Sequence, residues 1–279
     1  IGTPKGANHF KEIRDFADTD ANEGWELKEF KASETGLIEE AELQDAKKAM
    51  GENKYAQEFE ISFDSPIVGS YYGELMKDIS DKNHIRELTS DSATSKMCAW
   101  DLGMSDSTSI WVAETIGGEI RLMDYYENNG QSLSHYIEWL DEKGYRDYTQ
   151  ILPHDVMVKE LQTGKSRFEF LSDAGLQIDV APKSSVEDGI QAVRRMIPNC
   201  WFNKDTTRQG VECLRNYRRV FNEKLNVFQE KPLHDWSSHC ADAFRYLALG
   251  LDTATIKRTN WAKPYETTYD GESYKQQYL

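Results

Sequence analysis

Three aspartates carry most of the chemistry this sequence can do: Asp101 in MCAWDLGMSDSTSIWVAE, Asp155 in TQILPHDVMVKE and Asp242 in LHDWSSHCADAFRYLALG. The first two stand at the tips of apolar, strand-like runs, and the third lies on a helix-like run rich in small side chains. Carboxylates gathered in one pocket raise each other's pKa unless a cation cancels the charge. Oxygen-preferring divalent cations do this, and paired Mg²⁺ or Mn²⁺ ions cleave phosphodiesters. The pattern predicts metal-dependent phosphodiester hydrolysis if the fold brings the three stretches together. The first two aspartates also have a plainer reading. Asp101 could form a turn ahead of Gly103, and Asp155 could cap a following helix.

The third stretch says most about geometry. At about 100° per residue, Asp235, His239, Asp242 and Tyr246 share one stripe of a helix expected over 235–251. Trp236, Cys240, Ala243 and Leu247 form the adjacent apolar stripe, which must face a sheet. Asp242 and His239 are then placed at the border of the core, and Ala241 and Ala243 leave room for close packing. His239 is a candidate ligand or proton shuttle, or an ordinary helix histidine. Asp235 is a candidate cap. His154, beside Asp155, is expected to pack or support.

The elements that must position these groups follow from pattern. MCAWDL (97–102) reads as a buried central strand, and TSIWVAET (108–115) and EIRLMDYYE (119–127) as a hairpin turning at Gly117-Gly118. A helix over 133–144, a strand over 149–155, a helix closing at Gly175, a strand over 176–182 and a Ser-capped helix over 185–197 follow. FNEKLNVFQE (221–230) reads as a hairpin. From residue 96 onward this alternation is that of a layered α/β fold. Ahead of it, residues 39–50 read as a helix and EFEISF (58–63) as a strand. Residues 79–95 read as a linker, and 254–279 as a loosely held polar tail.

Composition excludes several classes. With 39% hydrophobic and 11% aromatic residues in 279, the chain can build a sizeable core. It has no run of about 18 apolar residues, which membrane crossing requires, and no signal peptide opens it. Cys98, Cys200, Cys213 and Cys240 form no CxxC pair, so reduced core cysteines of an intracellular protein are expected. A net charge of −15 argues against a general nucleic-acid coat, yet residues 183–231 hold ten basic against six acidic side chains. That local surplus suits either a DNA-contacting strip or ordinary solvated helix faces. TGKS (163–166) imitates the end of a phosphate-binding loop, but Lys159 stands where that motif needs a glycine.

Three motifs then resemble a known family. WDLGMSDSTSIWV, LPHD and SSHCADAFRYLA, with APKSSVEDGIQAVRRM before the last, occur in the order and spacing of the large terminase subunit of tailed bacteriophages. That family combines an ATP-driven DNA-packaging motor with a nuclease. The resemblance covers residues 96–253 and implies an RNase H-like (RuvC/integrase-type) domain, a mixed central sheet flanked by helices, working with two Mg²⁺ or Mn²⁺ ions. It implies Asp101, Asp155 and Asp242 as metal ligands. His239 matches a histidine found three positions before the last acid in some members.

Residues 1–78, with IGTPKG and YAQEFEISF, resemble the closing part of the family's ATPase domain. Its Walker A and Walker B stretches are not in this chain, so no ATP hydrolysis by the chain alone is expected. The implied activity is endonucleolytic cutting of double-stranded DNA with little sequence preference during viral genome packaging. Lys183, Lys159 and Arg194 are candidate backbone contacts. The implied partners are DNA, the portal protein and the small terminase subunit, without a membrane. The implied location is the host cytoplasm, transiently at the procapsid portal. A junction-resolving or transposase-like nuclease of the same fold, or a portal-docking module with a vestigial metal site, are the alternatives.

Overall fold

The structure, a computed structural model, describes residues 2–4, 9–19, 24–63, 66–90, 95–103, 106–159, 164–222, 225 and 227–261. Its first part is helical: α1 (His9–Ala17), α2 (Ala32–Thr35), α3 (Glu40–Met50), α4 (Glu52–Phe59) and α5 (Gly73–Asp81). A seven-stranded sheet follows, built from β1 (Ile85–Arg86), β2 (Ser95–Asp101), β3 (Ser107–Ile116), β4 (Glu119–Asn129), β5 (Thr149–Leu152), β6 (Ile178–Val180) and β7 (Cys200–Asn203). Helices α6 (Leu133–Lys143), α7 (Arg167–Asp173), α8 (Val186–Met196), α9 (Arg208–Asn216) and α10 (Ser238–Trp261) surround it, with the hairpin β8 (Arg219–Asn222) and β9 (Val227–Pro232) to one side.

The spatial order is β1-β7-β4-β3-β2-β5-β6. Strands β2, β3 and β4 run antiparallel to one another in turn, with β3 and β4 joined at Gly117 and Gly118, which have φ of +57° and +96°. Strand β5 then pairs parallel with β2, and β6 parallel with β5. Starting from β2, this third-second-first-fourth-fifth order is the RNase H-like arrangement that the motifs lead one to expect.

Alternation along β2 sets the two faces. Met97 and Ala99 join one core cluster with Trp111, Ile151, Ile190 and the buried side of α10. Cys98 and Trp100 join the other, with Tyr136, Trp139, Leu140 and Leu171 of α6 and α7. Asp101 has the parity of Ala99 and therefore projects on the α10 face. On that face the packing is close. A Cβ at Gly250 would lie 2.7 Å from Ile151 Cδ1, and one at Gly210 would overlap the Trp111 ring. Cys240, Ala241 and Ala243 are fully buried, and all four cysteines are free thiols in the core.

Several expectations are corrected. Residues 58–63 form no strand: α4 ends at Phe59, where Tyr55 stacks on Phe59 one helical turn away at 5.2 Å. The apolar alternation there has no partner strand to pair with. Residues 79–90 are not a bare linker. Ile79 of α5 is buried in the main core, and β1 pairs parallel with β7. The last helix begins at Ser238, so Asp235 and Trp236 precede it and Trp236 is about half exposed. It runs to Trp261, into the stretch expected as tail, and residues 262–279 lie outside the described residues. Ile1, Lys5 and Gly6 of IGTPKG and Thr163 of TGKS also lie outside them. Ser166 of the latter caps α7 in a reciprocal capping box with Glu169.

Candidate metal centre

Asp101 is the last residue of β2, and Asp155 stands three residues beyond the end of β5, in a single 3-10 turn spanning His154–Met157. Because β2 and β5 are adjacent and parallel, both carboxylates emerge at the same, carboxyl-terminal edge of the sheet. Pro153 ends the ladder and fixes the turn that carries Asp155. Behind Asp101 the chain folds sharply: a Cβ at Gly103 would lie 2.6 Å from the Ser107 carbonyl oxygen, so only glycine fits there. This brings Asp106 back beside the site.

Helix α10 lies across this edge and supplies the rest. His239 Nδ1 is 3.1 Å from Asp101 Oδ2, a contact between residues 138 apart in sequence. One turn on, Asp242 Oδ1 accepts from Arg245 Nη2 at 2.7 Å and Nε at 3.1 Å. The Arg245 side chain is 9% exposed and that of Asp242 30%, so the guanidinium is spent inward while the carboxylate keeps an open side. Asp235 takes no part in this edge. It accepts from the Ser237 backbone and hydroxyl and pairs with Arg218, holding the turn that launches the helix.

The electrostatics tie the aspartates to one locus. Burial pushes the Asp101 carboxyl above the usual carboxylate range and Asp242 adds to the rise, while the hydrogen bond from His239 opposes it. His239 is raised in turn, first by that hydrogen bond to Asp101, with Asp106 and Glu127 contributing. The Tyr246 phenol is pushed up to about 12 by burial, and Asp101, Asp242 and Asp155 all act on it in the same sense. Three carboxylates from distant stretches thus bear on one hydroxyl. Arg245 carries the compensating charge. Burial alone would lower its pKa, and Asp242 more than offsets this.

The candidate DNA contacts are dispersed. Lys183 is exposed three residues past β6, at the same edge as Asp101 and Asp155, and Lys159 is exposed beyond the turn of Asp155. Arg194 is half-buried and donates to the Tyr71 carbonyl, an internal role. His154 is exposed beside the site. Sequence reasoning passed over Asp106, Glu127, His234 and Arg245. Glu127 was readable from register, since Asp101 pairs with Ser109 and Ser109 with Glu127 across the sheet. Arg245 was readable from its spacing three residues after Asp242.

A carboxylate-rich edge of this kind, with an open side and a buried cation behind it, suits hard divalent ions. No protein-family model matches the chain. Over 261 residues it is 23% identical to the large terminase subunit of Escherichia phage T5, an alignment covering 88% of this chain and 56% of that protein. The chain therefore spans about half the length of this curated relative. Its fold is similar to that of a large terminase from a thermophilic bacteriophage, solved with two nucleotides. With the ATP-γ-S complex the TM-score is 0.51 at 16% identity, over 78% of this chain and 54% of the other. With the ADP complex it is 0.50 at 14% identity, over 76% and 52%. In the order of its motifs and the topology of its sheet, the chain is similar to the large terminase subunits of bacteriophages.

Proposed function

We propose that this chain is a divalent-metal-dependent endonuclease that cuts double-stranded DNA with little sequence preference, as the nuclease part of a large terminase subunit in viral genome packaging. What supports this reading is that Asp101, Asp155 and Asp242 all act on the Tyr246 hydroxyl, with Asp101 hydrogen-bonded to His239 and Asp242 to Arg245. Asp101, central in the sheet, would hold Mg²⁺ or Mn²⁺, two ions in this reading, together with Asp155 and Asp242. Such ions, when bound, activate a water for in-line attack on phosphorus and stabilise the leaving oxygen.

The chain's own groups have defined work in this reading. Arg245 neutralises Asp242 from behind and leaves its second oxygen for a cation. His239 hydrogen-bonds Asp101 through Nδ1 and would serve as a proton carrier at the site. Lys183 and Lys159 flank the edge and are suited to the phosphate backbone, which carries no sequence information. Residues 1–78 are assigned to the end of the ATPase domain, with no ATP hydrolysis expected of this chain alone. The portal protein and small terminase subunit are the proposed partners, and the host cytoplasm the proposed setting. Among the described residues no helix is long and apolar enough to cross a membrane.

Plasmid digestion in Mn²⁺ or Mg²⁺ tests the assignment: wild type is expected to nick and linearise DNA, and Asp101→Ala to leave it intact. Equal cleavage by both would end it. DNA-stimulated ATP turnover by this chain would overturn the reading of residues 1–78.

A further inference from the structure

Beside the carboxylate edge lies a second group of ligating side chains with different chemistry. Asp106, His234 and His239 each offer one ligand atom, and these atoms all lie within 4.8 Å of one another. The three come from separate segments: Asp106 from the turn that Gly103 folds back, His234 from the approach to α10, and His239 from the first turn of that helix. The two imidazoles meet edge-on, with ring centroids 5.5 Å apart and planes at 80°. Asp106 and His234 are exposed, so an ion can enter from solvent.

The orientation of His239 is the second observation. Its Nδ1 faces Asp101 Oδ2 at 3.1 Å, which leaves Nε2 as the nitrogen for any other partner. Metal-ligating imidazoles are ordinarily held this way, one ring nitrogen donating to a carboxylate while the other takes the metal. Two imidazoles and one carboxylate with open positions make a donor set for Zn²⁺ and other late first-row ions, whereas Mg²⁺ prefers oxygen throughout.

We propose that Asp106, His234 and His239 form a Zn²⁺-type site at the mouth of the carboxylate edge, and that its occupancy restrains the neighbouring centre. An ion on His239 Nε2 fixes the Nδ1–H on Asp101 and commits one Asp101 oxygen to that hydrogen bond. Asp101 is then less able to serve as a shared ligand for hard cations. The restraint rests on the nuclease reading, while the binding site itself does not.

Co²⁺ is the probe, because a site with few ligands gives it a visible absorption band. Titration of the untagged full chain is expected to produce a band that saturates at about one Co²⁺ per chain, survives millimolar Mg²⁺ and is displaced by Zn²⁺. His234→Ala and Asp106→Asn are expected to weaken Co²⁺ binding at least tenfold, and Asp155→Asn to leave it unchanged. No band, or a band lost in Asp155→Asn but kept in His234→Ala, overturns the site. In Mg²⁺-supported plasmid cleavage, micromolar Zn²⁺ is expected to inhibit wild type at least tenfold more strongly than His234→Ala. Equal inhibition of both overturns the restraint even where the band supports the site. Absence of cleavage by wild type in any divalent metal would instead overturn the nuclease reading and leave the band test standing.

Discussion

Two carboxylates on neighbouring strands of the sheet, one buried and one partly so, are treated in opposite ways. Glu114 of β3 has the parity of Val112 and Ile110 and lies on the α6 face, fully buried. It has several partners: the Ser90 hydroxyl donates a shared proton at 2.8 and 3.0 Å, the Tyr148 hydroxyl donates at 2.7 Å, and Lys96 stands at 3.6 Å. Asp101 lies on the α10 face with His239 as its hydrogen-bonding partner, and burial leaves its carboxyl raised. A buried carboxylate held by several donors pins secondary structure. One left partly unsatisfied at an open edge stores unfavourable charge that a cation relieves, and that is the mark of a binding group.

The contrast breaks if the two residues respond alike. Asp101→Asn is expected to cut metal-supported plasmid cleavage by about 1,000-fold, roughly 4 kcal/mol of barrier. The same substitution removes a charge the fold holds unfavourably, so metal-free protein is expected to gain about 0.5–2 kcal/mol in urea titration. A clear loss of stability would place Asp101 with Glu114 as a structural group. Glu114→Ala should do the reverse. Stranding two hydroxyl donors and a lysine is expected to cost about 3 kcal/mol in the same titration, with cleavage near wild type below the unfolding transition.

Arg245 sharpens the comparison, since it is the buried cation of the open site. Arg245→Met is expected to destabilise by roughly 2 kcal/mol. This is less than the usual cost of breaking a fully buried pair because Asp242 is 30% exposed and water screens it. The variant should also need more Mg²⁺ for half-maximal cleavage, read from a metal titration.

The smallest effect is in pH. His239 is raised in the folded state, so its contribution is fully present below the ordinary histidine value and is lost as pH rises through the raised one. The Asp101 shift has the same sign, adding stability at lower pH. In EDTA, wild-type stability is expected to decline across the neutral range by about 1 kcal/mol or less, and His239→Gln to decline less. A rise with pH would reverse the assigned direction.

What the sequence made legible was whatever rests on local pattern. Strands β2, β3 and β4 show as apolar, β-branched runs around Gly117-Gly118, and α8 as an amphipathic run behind Ser185. The three candidate aspartates stand out in the sequence because each interrupts an apolar run where a strand stops or a helix meets the sheet. What escaped rests on distant partners. Strand β1 is two residues long and is a strand only because β7 lies beside it, and CWFN of β7 is too short to signal itself. The EFEISF alternation lacked a neighbour and gave way to α4. Asp235 looked like a member of the α10 stripe because its spacing is helical, but the helix starts three residues later and Arg218 holds it elsewhere. The Asp106–His234–His239 grouping depends on the fold of the Gly103 turn, which no linear spacing records.

That α10 contributes Asp242 and His239 while also filling the core has a consequence for a growing polypeptide. The segments carrying Asp101 and Asp155 leave the ribosome long before residues 238–251, so a nascent chain lacks both Asp242 and the apolar side of the helix that carries it. The candidate site is thus assembled by the same event that completes folding.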